Sequence, residues 1–247
     1  MNDKLRIVLK TLAVVLFLVS IAIIGITAIK NHMRKDISKD AIKVVESAIE
    51  EGGDKKVTFE VPVSDFYKVD GEWGEDDASL QDLLREMTDL SSQHETLTLI
   101  GILEIPCIDV KEPIWDSCSS TALRFGVGRF PQTAQIGEDA NCTIFGHRMK
   151  NKTIFWQLQK LEKKIGEEVI VTTTDGIQHR YTISDTVYVT DAAIDPYLSA
   201  DLFDSEHLCL ATCGYGTDPY NSKIYRPKNT EFIVICVPDN PQEENHE

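Results

Sequence analysis

Two short runs of the chain end in residues that can do chemistry. Leu208-Cys209-Leu210-Ala211-Thr212-Cys213-Gly214 is apolar and breaks at a glycine straight after a thiol, while Cys142-Thr143-Ile144-Phe145-Gly146-His147-Arg148 is a second apolar run that ends in an imidazole. A strand that stops at its reactive residue leaves that residue at the mouth of the fold, within reach of a ligand. Cysteine attacks as the thiolate, and a nearby imidazolium both favours that form and can give a proton to a departing amine. Cys213 and His147 together therefore point to covalent acyl chemistry. Singly they would not, because a lone cysteine is most often a small core hydrophobe. The other histidines are weaker candidates: His32 and His94 lie in linker-like sequence, His179 beside a turn and His246 in the tail. A metal site on His207, Cys209 and Cys213 fails, since these alternate residues share a strand face but offer no fourth ligand in an apolar run.

The elements that must hold these residues read as short strands. Residues 97–110, 141–145, 168–173, 181–190, 207–212 and 232–237 are apolar and rich in branched side chains, and Thr174-Asp175-Gly176 marks a hairpin. Val57, Phe59, Val61 and Val63 alternate as in a strand that Pro62 confines to an edge. Residues 155–161 have helical spacing. Many short strands with few helices predict a mainly β fold closed into a barrel. Upstream, Ile37, Val44, Val45, Ala48 and Ile49 predict a short amphipathic helix that ends at Gly52-Gly53, an acidic loop follows at 72–77, and Leu80, Leu83, Leu84, Met87 and Leu90 predict a second helix over 78–91.

Residues 11–29 carry no charge, and at ~1.5 Å per residue they cross most of a ~30 Å hydrocarbon layer. They are too long for the apolar core of a cleaved signal, and no small-residue cleavage site follows. Basic residues flank both ends, so the short N-terminal tail decides for an outside C-terminal domain. With 25 Lys and Arg against 40 Asp and Glu, a net charge of −15 repels phosphate backbones and makes nucleic acid a poor partner. Of six cysteines, Cys107, Cys142, Cys209 and Cys236 sit in strand-like runs as core thiols rather than as a disulfide framework. Cofactors and metals are not called for; no acidic loop has the spacing of a dedicated calcium site.

Taken in order, TIFGHRM with the following FWQL, and LATCGYG 66 positions after the histidine, resemble the histidine and cysteine motifs of sortases. GILEIPCIDVKEPI and FGVGRF resemble the leading strands and approach loop of that family, so the likeness spans roughly residues 97–237. The resemblance implies an eight-stranded β-barrel with a few short helices behind an N-terminal transmembrane helix, Cys213 and His147 meeting at one rim, and Leu210, Ala211 and Thr212 next to the substrate. It also implies a catalytic arginine, for which Arg226 is the match, with Lys228 as understudy; Glu231 stands where an arginine adjoining the last strand is expected. The implied substrates are exported proteins with an LPxTG-like signal, and the implied acceptor is an amine of a cell-wall precursor or a pilin. The short interval between His147 and Cys213 favours a class A, C or D type over class B.

The chain thus divides into a cytoplasmic tail (1–10), a membrane anchor (11–29), an extracellular linker with amphipathic helices (30–95), a catalytic barrel (96–238) and an acidic disordered tail (239–247). Two rivals remain open at this stage. One is a tethered barrel that binds or assembles partners with Cys213 inert; the other is a Cys/His peptidase that hydrolyses rather than transfers.

Overall fold

The computed structural model describes residues 3–53, 56–63, 94–148 and 154–239; the predicted helix at 78–91, the acidic stretch at 72–77 and the tail beyond Asp239 lie outside the described residues. The first element is a single helix, α1 (Asp3–Glu50). Its apolar part leaves Leu12, Phe17, Ile24 and their neighbours exposed, and by length and composition it can cross a membrane. Residues 30–50, expected within a linker, continue the same helix, because no proline or glycine interrupts residues 26–51. It stops at Gly52 and Gly53, whose φ values of 102° and 71° suit glycine, and the Gly53 N–H caps the Ala48 carbonyl at 3.0 Å.

Eleven strands follow among the described residues: β1 (Val57–Pro62), β2 (His94–Ile105), β3 (Val110–Trp115), β4 (Val127–Arg129), β5 (Asn141–Phe145), β6 (Glu168–Thr173), β7 (Gln178–Thr190), β8 (His207–Cys213), β9 (Gly216–Thr217), β10 (Tyr225–Arg226) and β11 (Thr230–Pro238). A short helix, α2 (Ser120–Arg124), sits between β3 and β4. The order β2-β3-β4-β5-β8-β11-β7-β6 closes back onto β2, giving an eight-stranded barrel. β1 lies outside that circle on β2, the edge position its Pro62 requires. The predicted helix at 155–161 is a single 3-10 segment, Leu158–Lys163.

Pleat alternation sorts the side chains into two faces. Leu208, Leu210, Phe232, Val234 and Cys236 point into the barrel with Ile144, Phe155 and Val171, where burial of each large aliphatic side chain contributes about 1.5–3 kcal/mol. Cys209, Ala211 and Ile233 point outward beneath Ile194, Tyr197, Leu202 and Phe203, which come from three 3-10 turns between β7 and β8. That cover is tied down where Thr143 Oγ1 donates to the Tyr197 carbonyl at 2.6 Å and Asn141 Nδ2 to the Ser199 carbonyl at 2.8 Å. A third cluster joins Ala41 and Val45 of α1 to Leu97, Leu99, Ile102 and Trp115, so the helix is packed on the barrel rather than trailing from it. All six cysteines are free thiols, with Cys142, Cys209 and Cys236 buried.

Candidate active site

β5 and β8 run parallel and pair with one register throughout, from Asn141 opposite His207 to Phe145 opposite Ala211. The ladder continues past the strand end: Gly146 N donates to the Ala211 carbonyl at 3.1 Å, and Thr212 Oγ1 donates to the Gly146 carbonyl at 2.6 Å. The offset between partners is 66 residues, as it is between Thr212 and Gly146. His147 and Cys213 are also 66 apart, and each directly follows a partner of the Thr212–Gly146 contact. Gly146 leaves room for the buried Phe155 ring, which a Cβ there would meet at 2.5 Å.

Cys213 is half-buried at the end of β8 and pairs across the sheet with Glu231 of β11. By alternation it belongs to the outward face of Cys209 and Ala211. Burial pushes its thiol up to about 12; Glu231, and more weakly Asp191, push the same way, while Arg148 opposes them. Burial and then the charge of Asp191 also raise Glu231, to about 7, again against Arg148.

The guanidinium of Arg148 is built into the loop that follows the thiol. Its Nη1 donates to Gln159 Oε1 at 2.6 Å, and Gln159 Nε2 donates in turn to the Gly214 carbonyl at 2.9 Å. Its Cζ lies 5.1 Å from the centre of the Tyr215 ring, and a Cβ on Gly216 would come within 3.2 Å of its Nη2. Arg148 thus contacts or borders each of the three residues after Cys213.

Arg226 is held differently. It lies on β10, part of a two-stranded ribbon with β9 rather than of the loop expected. Its guanidinium stacks 3.4 Å from the centre of the Tyr188 ring and donates to Asp218 Oδ2 at 2.6 Å. Tyr188 packs against the barrel interior, whereas its neighbours Val187 and Val189 pack on the outward face, so Arg226 rests one pleat away from the face of Cys213. Lys228 is exposed.

A family model described as Sortase domain matches residues 103–227, half of the chain, and takes in both strand tips. The chain belongs to the sortase family. In general kind this sortase is a cysteine transpeptidase with the family's β-barrel. Solved structures similar to it include a sortase D5 transpeptidase of Clostridium perfringens, 25% identical over 57% of this chain and 79% of that one, with a TM-score of 0.47. Sortase C1 of Streptococcus suis is 23% identical, covering 60% and 76%, with a TM-score of 0.48. A lid mutant of sortase A from Corynebacterium diphtheriae is 17% identical, covering 84% and 96%, with a TM-score of 0.48. The comparison with curated proteins returns no match.

Of the three residues of this sortase expected next to substrate, Ala211 alone shares the face of Cys213. Leu210 fills the barrel core, and the Thr212 hydroxyl is spent on Gly146, clamping the two strand tips. Sequence reasoning quoted Arg148 within the histidine motif without giving it work and did not single out Gln159. The signal for Arg148 was its place directly after the histidine. Among the described residues, no group of three or more His, Cys, Asp or Glu could hold a metal ion.

Proposed function

We propose that this sortase works outside the cytoplasm, held to the membrane by the apolar part of α1, with Cys213 as nucleophile and His147 as proton carrier. The substrate is an exported protein bearing an LPxTG-like signal; the acceptor is an amine of a cell-wall precursor or a pilin. The observation that carries the reading is the shared offset of 66 between the β5–β8 register and the His147–Cys213 interval. On this reading the paired strands carry the chain to within two residues of the imidazole and up to the sulfur, so little loop is left to position either.

The substrate backbone approaches the Cys213 end of the outward face, beside the cover of Ile194, Tyr197 and Leu202 that already buries Ala211 and Ile233. The Cys213 thiolate attacks the scissile carbonyl carbon, forming a C–S bond. As the tetrahedral intermediate collapses, the C–N bond breaks and the departing amine takes a proton from the His147 imidazolium. A thioester stays on the enzyme. The incoming amine attacks that carbonyl and yields its proton to His147, the new C–N bond forms, and the thiolate leaves. A cation must stabilise both thiolate and oxyanion; two arginines, Arg148 and Arg226, border the loop after the nucleophile.

Replacing Cys213 by alanine should lower transfer of a sorting peptide to an amine more than about 10³-fold, with an unchanged circular dichroism spectrum. Mass spectrometry of the wild type with peptide alone should catch the acyl-enzyme at Cys213. Turnover that survives C213A, or an adduct on another thiol, would sink the assignment. Release of free acid without amine-linked product would favour the hydrolytic peptidase.

A further inference from the structure

We propose that Arg148, the residue after His147, supplies the positive charge that favours the Cys213 thiolate when it forms, and that Arg226 instead braces the ribbon beside it. The inference rests on the reading of Cys213 as nucleophile and assigns the charge that site needs.

Three observations lead to Arg148. The first is position: the guanidinium reaches Gly214 through Gln159, lies 5.1 Å from the centre of the Tyr215 ring and borders Gly216, so it lies along the loop that directly follows Cys213. The second is freedom of its charge. It hydrogen-bonds to Gln159, a neutral amide that takes no charge from it, whereas Arg226 spends its guanidinium on Asp218 at 2.6 Å and on the Tyr188 ring. The third is the residue across the sheet. Glu231 pairs with Cys213 at the place where the family likeness leads one to expect an arginine. A carboxylate there repels a thiolate, so a site built with Glu231 needs a compensating cation from another strand.

The charged groups that act on the thiol are therefore Arg148, three residues past β5, Glu231 across the sheet on β11 and Asp191 in the turn after β7, with His147 the titratable neighbour on the proposed reading. Arg148 lowers the thiol while Glu231 and Asp191 raise it, with burial the largest influence. The same arginine pulls Glu231 down. Arg148 and Glu231 act on Cys213 with opposite signs, and this opposition can be measured.

The experiment is the pH dependence of iodoacetamide alkylation on the full-length protein in detergent, with the modified cysteine located by peptide mass spectrometry because the chain has six. R148Q should raise the alkylation midpoint of Cys213 by about one unit or more, a roughly ten-fold loss of rate below the midpoint. R148K should restore most of it, and R226Q should leave the midpoint where it was. E231Q should move it down and speed alkylation several-fold at pH 8, so the proposal has a second handle should R148Q fold poorly. Wild-type and R148Q profiles that superimpose, or a rise in R226Q equal to that in R148Q, would overturn the role of Arg148 and leave the nucleophile standing. A Cys213 that resists alkylation at every pH while other thiols react would overturn both.

Discussion

Two arginine–carboxylate regions flank the loop after Cys213, and they are built on different plans. On the interior side, Arg226 and Asp218 make a closed pair at 2.6 Å, with side chains only 16% and 5% exposed and the cation stacked on Tyr188. Burial works to raise Asp218, yet the Arg226 hydrogen bond and the N–H groups of Tyr220 and Asn221 outweigh it, and the carboxyl ends below its usual range. Arg148, by contrast, is bonded to an amide, and the Glu231 that it pulls down is still lifted to about 7 by burial and Asp191. A cation matched to a close carboxylate has little field left over for a neighbour. One held by a neutral group keeps its field for whatever charge develops beside it.

That contrast can be broken in three ways. The largest expected effect is on turnover: R148Q should lower kcat/KM for sorting-peptide transfer about 10²-fold, the scale of a lost charge-stabilising donor, while R226Q should lower it by less than about ten-fold. Steady-state kinetics on both variants decides, and equal losses would erase the distinction. The next effect is on stability. R226Q strands Asp218 and should cost roughly 2–3 kcal/mol in chemical denaturation, and D218N added to it should recover part of that loss. R148Q, which gives up one hydrogen bond to Gln159, should cost about 1 kcal/mol.

The smallest effect comes from a third carboxyl, Glu112, also raised to about 7 by burial and held by Ser38 Oγ at 2.9 Å and Ile154 N at 3.1 Å. A carboxyl that binds its proton more tightly when folded contributes stability that is full below about 4.5, its unfolded value, and is lost as pH rises through about 7. Thermal denaturation should therefore show wild-type stability falling between pH 5 and 8, with E112Q removing roughly 1–2 kcal/mol of that fall and leaving the alkylation profile of Cys213 alone. A shifted Cys213 profile in E112Q would mean that Glu112 reaches the thiol through Ile154, the bridge partner of Arg148, and that the contrast drawn between the arginines is too local.

Much of this was legible in the sequence, for identifiable reasons. β5, β7, β8 and β11 are long runs of branched residues with one clear role each, and their ends fell where the apolar texture stopped. β4, with three residues, carries too little pattern to stand out, and the ribbon of β9 and β10 has two residues per strand. The interval between His147 and Cys213 was visible as a number, but its meaning depends on β5 and β8 being parallel neighbours, which a single strand's composition does not encode. Arg226 drew attention through its distance from Cys213 along the chain. Which side of the sheet it returns to is set by the pleat parity of Tyr188 and by Asp218, neither of which had a reason to be singled out beforehand.

The unbroken course of α1 has a consequence for how the enzyme meets its targets. The barrel grips the helix at Ile37, Ala41 and Val45, and Ser38 reaches Glu112, which in turn holds Ile154 just after the histidine's loop. With no swivel between the apolar half and this grip, the heading and altitude of the rim are written in helical phase. One residue inserted near position 31 would swing the head by about 100° and lift it by ~1.5 Å, turning the same rim toward different neighbours on the surface that carries it.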